Sequence, residues 1–229
     1  MTTTLEEKFA KLSPELRAKI TTGERKYEPR PETPVSIFLV NTKRHCNGGR
    51  TVDAGLWLKS HCDDGGKLFV TMSGAGSSFQ MGIALSELIR AGKVAAISVT
   101  GANMEESLYR LLANSCYAYI RDYTSLTQAQ ELELDHAGFR RITDPFLPEE
   151  ESVRVVLDPL MSLWREAATK GERLHWHEFF FRLFERELIT PDPTARVEDC
   201  WLYQAWKHGV HVVVPGWEDS TMGNMYAGH

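Results

Sequence analysis

One stretch limits the possible folds more than any other. KLFVTM, residues 67–72, is an apolar run that leads into the small-residue turn of TMSGAGSSFQMG, residues 71–82. Met81, Leu85, Leu88 and Ile89 then recur at i, i+4, i+7 and i+8, one face of a helix that Gly92 is placed to end. VAAISVTG, residues 94–101, returns to strand character. Strand, helix and strand within about 35 residues form a βαβ unit, and two strands joined by a helical crossover lie parallel. An α/β fold, with helices on both faces of a parallel sheet, follows from that unit.

The remaining chain is read around it. VSIFLVN, residues 35–41, is expected as a buried strand, and TVDAGLWLKSHCDDGG, residues 51–66, as a helix closed by glycines. Residues 152–188 are expected to be mostly helical, with Trp176, Phe179, Phe180, Leu183 and Phe184 as a core or interface stripe. VHVVVP, residues 210–215, is expected as a further strand. Residues 1–26 have the character of a charged helix, and YEPRPETP holds three prolines in eight residues, an extended connector. Two segments result, 1–34 as helix and connector and 35–229 as the ordered domain. With 229 residues, 42% of them hydrophobic, the chain can bury a substantial core.

Composition narrows the function classes. No stretch has the roughly 18 to 20 uninterrupted apolar residues of a membrane span, and the N-terminus lacks the apolar middle of a secretory signal, so a cytoplasmic location is expected. Cys46, Cys62, Cys116 and Cys200 are widely scattered and expected to be reduced, with no zinc-type pair among them. A net charge of −5 without a basic run argues against nucleic acid and permits a cationic small substrate. His175 and His177 are two apart and point to different sides of a helix, so no metal site is expected there. The His45–Cys46 and His61–Cys62 neighbours are read as structural, because adjacent residues seldom align as base and nucleophile.

The chemistry should sit at the strand ends. Open parallel sheets bind ligands at the carboxyl ends of their strands, where glycine lets the backbone approach and the next helix presents free amides to an anion. SGAGSS, residues 73–78, adds two adjacent hydroxyls, and TGAN, residues 100–103, supplies a second small-residue turn. PGWEDSTMGN, residues 215–224, holds the corresponding place on the last strand, with Glu218 and Asp219 able to accept from ribose hydroxyls or an ammonium group. Glu105 and Glu106 have the same capacity, and equally the capacity to offset a helix dipole. A glycine turn also joins strand to helix with no ligand at all, and the GxGxxG pattern is half met.

HCNGGRTVDAGLWLKSHCDDGGKLFVTMSGAGSSFQMG, VAAISVTGANMEES and VVVPGWEDSTMGNM together resemble the deoxyhypusine synthase family, especially its bacterial deoxyhypusine synthase-like branch. The resemblance implies a Rossmann-like fold, a homotetramer, and NAD-dependent transfer of an aminobutyl group from spermidine to an amine. It puts NAD-contacting positions on Ser73, Gly74, Ala75, Ser77 and Ser78, and on Thr100, Gly101, Ala102 and Glu106. Asp219 matches the family aspartate that touches the cofactor.

Two departures accompany the match. Asn224 stands where a polyamine-binding aspartate would be, so the substrate-binding position carries no charge. The Gly-rich segment and nucleophilic lysine that the family places beyond this point are not present, so the catalytic residue is unassigned. The expectation is a truncated product, a fragment or one half of a split enzyme. Three readings stay open: a deoxyhypusine synthase-like transferase completed by a complementary C-terminal chain, a catalytically inactive NAD-binding or scaffolding subunit, and a homospermidine synthase-type polyamine enzyme.

Overall fold

The computed structural model describes residues 4–23, 34–74 and 76–228. Ala75 and most of the Pro-rich connector lie outside them. The expected βαβ unit is present: β2 (Leu68–Met72), α5 (Met81–Arg90) and β3 (Val94–Val99) follow in order, and β2 pairs parallel to β3. β7 (His211–Val213) pairs parallel to the other edge of β3, giving the sheet order β2-β3-β7. The protein is α/β.

A main core forms around this sheet. Ile97 and Val99 of β3 are buried with Leu85 and Ile89 of α5, the face read from sequence spacing. α6 (Gly101–Ala113), α8 (Val153–Lys170), α9 (Trp176–Glu185), α10 (Trp201–Lys207) and α11 (Thr221–Ala227) complete it. Residues 152–188 are thus two helices, broken after Gly171, whose left-handed φ of +66° ends α8. Phe179, Phe180, Leu183 and Phe184 are buried in this core.

Three expectations are corrected. VSIFLVN is not a buried strand: it forms α3 (Val35–Thr42), packed on α4 (Cys46–Asp63), with no buried residue. A short apolar run reads alike as strand or helix, and here Phe38 N–H donates to Pro34 O and Lys43 N–H to Leu39 O, so the helix satisfies its own backbone. The N-terminal segment is not one helix but α1 (Leu5–Ala10), α2 (Pro14–Lys19) and β1 (Ile20–Thr22). Thr4 and Ser13 each cap a new helix start, and Pro14 occupies the first position of the second. The sheet is also not the whole β structure. β1 joins β4 (Ala118–Ile120), β6 (Pro145–Leu147) and β5 (Arg140–Arg141) in a separate antiparallel sheet of order β1-β4-β6-β5. Leu12, Leu16 and Ile20 pack there against Leu134, Phe139 and Phe146, with α7 (Gln128–Ala137) closing this smaller core.

Candidate site at the strand ends

The carboxyl ends of β2, β3 and β7 open into the three segments singled out by sequence. Thr100 N–H donates to Met72 O at 3.4 Å, so the first two turns start side by side. The hub is the start of α6. Thr100 caps it, and its hydroxyl accepts from Asn103 Nδ2 at 2.8 Å. Held so, Asn103 Oδ1 accepts the backbone N–H of Ser77 at 2.8 Å. The Ser77 and Ser78 hydroxyls both donate to Glu106 Oε2, at 2.6 and 2.9 Å. Arg110, one helical turn on, donates to Ser78 O at 3.1 Å and lies 3.8 Å from Glu106 Oε1.

The third segment is fastened to the same helix. Glu105 is only 3% exposed, and its two carboxylate oxygens accept the N–H groups of Thr221 and Met222 at 2.8 and 2.9 Å. Two of the unpaired donors at the start of α11 are satisfied this way. Burial raises the Glu105 carboxyl above its ordinary range, against the hydrogen bonds from Met222 and Thr221. Ser220 caps α11 through Gly223 N–H at 3.0 Å. Two glycines permit the contact: a Cβ on Gly101 would lie 2.6 Å from Ser220 Cβ, and one on Gly223 2.1 Å from Trp217 O. Trp217 is buried and stacks on Trp176 of α9, with ring centroids 5.2 Å apart.

Among the sequence-derived positions, Ser73, Gly74, Ala102 and Asp219 are exposed at the mouth, while Ser77, Gly101 and Glu106 are buried behind it. Gly74 has a φ of +61° and open space where a side chain would be. Ala75 lies outside the described residues. Asn224 is exposed and donates through Nδ2 to Ser220 O at 2.9 Å. The hydroxyl protons of Ser77 and Ser78, expected to face a ligand, are instead committed to Glu106. Sequence reasoning missed the cross-links made by Asn103 and Arg110 and the cap made by Ser220. Only the Ser220-x-x-Gly223 spacing signalled the last of these.

The geometry offers exposed backbone and small side chains at Ser73, Gly74 and Ala102, the exposed carboxylates of Glu218 and Asp219, and a buried polar layer that fixes the turns. A comparison with curated proteins returned no match. The sequence model described as deoxyhypusine synthase matches residues 46–229, which include all three turns and every strand of the parallel sheet. The chain belongs to the deoxyhypusine synthase family.

Proposed function

We propose that the chain is a deoxyhypusine synthase-like transferase subunit that holds NAD at the mouth formed by the ends of β2, β3 and β7, acting on a polyamine in the cytoplasm as part of a homo-oligomer. The observation that carries this reading is the fastening of the first and third strand-end segments to one helix, α6, which the second segment begins, through Asn103, Glu105 and Glu106. Such cross-linking preorganises the backbone around the point where a parallel sheet takes its ligand.

The residues present fit the cofactor in a particular way. Open space beside Gly74 lets a pyrophosphate approach the first turn, and the exposed Asp219 carboxylate can accept ribose hydroxyls. Phosphate oxygens would meet Ser73 and Gly74 rather than the inner pair, because the Glu106 carboxylate behind Ser77 and Ser78 repels an anion. Bound NAD would supply the hydride acceptor for oxidising a polyamine carbon next to nitrogen. The protein's part is to fix the turns, orient the dinucleotide and present Asp219. The three segments contain no lysine, so an imine-forming amine has to come from elsewhere.

Calorimetric titration of NAD into the purified chain, with and without spermidine, tests this. Saturable binding that Asp219→Ala weakens about tenfold or more, as loss of a charge-assisted hydrogen bond of about 1.5 to 3 kcal/mol requires, supports it. Absence of binding to a folded chain would favour the scaffolding reading, to which Asn224 at the polyamine position also inclines. Unchanged affinity in Asp219→Ala removes that residue from the site.

A further inference from the structure

The parallel sheet has one covered face and one bare face. Val70, Ile97 and Val212 lie in register and turn toward the main core. Their neighbours turn the other way, as strand alternation requires: Phe69 is in register with Ala96 and Ala96 with His211, Thr71 with Ser98 and Ser98 with Val213. None of these six residues is buried, and Phe69 is 63% exposed. Parallel sheets occur almost only with both faces covered, so this face calls for a layer of helices.

The same chain carries a helix pair with nothing to cover. α3 holds no charged residue and no buried one, and Val35, Ile37, Phe38 and Val40 are each at least half exposed. A helix this apolar is normally buried. α4 buries only Cys62, and its Leu56, Trp57 and Leu58 are exposed, Trp57 at 66%. The elbow between α4 and β2 keeps this pair off its own sheet. Gly66 N–H donates to His61 O at 2.8 Å, Lys93 Nζ donates to Cys62 O, and a Cβ on Gly66 would lie 2.3 Å from His61 Cε1. So fastened, α4 leaves Phe69 bare.

The two incomplete surfaces suit each other. The sheet row and α3 carry no carboxylate, ammonium or guanidinium group, so contact between them strands no charge. The charges of α4 pair among themselves, Arg50 with Asp53 and Lys59 with Asp63. Counting about 150 to 250 Å² for each aromatic side chain and somewhat less for each aliphatic one, the seven exposed apolar side chains of the hairpin together with Phe69 and Val213 leave roughly 900 Å² open to water. Mutual cover in a pair of copies would remove up to about 1,800 Å², within the roughly 1,200 to 2,000 Å² of stable interfaces. We propose that two copies of this chain exchange their α3–α4 hairpins about a two-fold axis, each hairpin lying on the bare face of the other copy's parallel sheet. The exchange rests on the homo-oligomer of the functional reading and gives it a contact surface; NAD has no part in it.

Analytical ultracentrifugation of the full chain without NAD should show a dimer at micromolar concentration. Phe69→Lys on the sheet and Trp57→Glu on the hairpin should each raise the dimer dissociation constant at least tenfold. Both side chains are exposed, so circular dichroism and Tm should stay as in the wild type; if either variant melts early, Val213→Lys or Leu56→Glu takes its place. Mixing the two variants rebuilds one of the two contacts from an unaltered hairpin and an unaltered sheet, so the heterodimer should form several-fold more tightly than either variant's homodimer. A monomeric wild type overturns the exchange and the homo-oligomer together. A dimer that either variant leaves intact, or that mixing fails to restore, overturns the exchange alone and leaves the cofactor reading standing.

Discussion

Asp192→Asn should destabilise the chain by an amount that shrinks as the solution is acidified. Asp192 is 8% exposed and sits where the segment before α10 crosses the end of α6. Its Oδ2 accepts from Ser115 N–H at 3.0 Å and Ser115 Oγ at 2.5 Å, and its Oδ1 from Thr194 N–H at 2.7 Å and Thr194 Oγ1 at 2.6 Å. Burial alone would raise this carboxyl, but the hydrogen bonds from Ser115 and Thr194 outweigh it and hold the pKa at about 2, against an ordinary 3.8. That displacement corresponds to about 2 kcal/mol of stability at neutral pH. Asparagine keeps one acceptor for Thr194 but turns an amide NH₂ toward the Ser115 donors. A loss of about 2 to 3 kcal/mol follows, or roughly 5 to 10 °C in Tm for a chain of this length. The folded pKa is depressed, so the contribution is complete above the unfolded value of 3.8 and is lost as pH falls through about 2. Urea melts of both proteins at pH 7 and pH 3 should show the gap narrowing by about 1 kcal/mol at the lower pH. A gap equally large at both pH values, or none at pH 7, would refute the reasoning.

Two predictions concern the site itself. Glu105→Gln replaces one of two acceptors at the start of α11 and should cost about 1 to 3 kcal/mol in denaturant melts. Burial raises the folded carboxyl above the ordinary 4.5, so its contribution declines as pH rises past that value, and the gap to the variant should narrow from about pH 5 to pH 8; a widening gap would contradict this. Gly223→Ala drives a methyl against the Trp217 carbonyl, which belongs to the backbone and has little room to move, so a loss of about 1 to 3 kcal/mol is expected by thermal unfolding. An unperturbed Tm would mean that the Trp217–Gly223 contact is looser than described.

The βαβ unit was legible because its signals agree: two apolar runs, a helical face of Met81, Leu85, Leu88 and Ile89, and glycines at both ends. VSIFLVN carried one signal, apolar character, and that cannot separate strand from helix over seven residues. The antiparallel sheet was invisible for a different reason. Its strands are two or three residues long, too short for alternation to register, and its first strand pairs with a partner about a hundred positions away, as Ile20 does with Ile120. At the site, the small-residue turns announced themselves. What each hydroxyl and carboxylate does did not, because Glu105 and Glu106 are adjacent in sequence yet serve different segments, a division that only helix geometry decides.

The attachment of the first and third strand-end segments to the first two turns of α6, where the second segment begins the helix, makes that helix a shared mechanical support. Neither attached segment can loosen alone without breaking a bond to Asn103, Glu105 or Glu106, and displacement of α6 would disturb both together. In hydrogen-exchange terms, the amides of Ser77, Thr221 and Met222 belong to one cooperative opening unit although about 145 residues separate the first from the last.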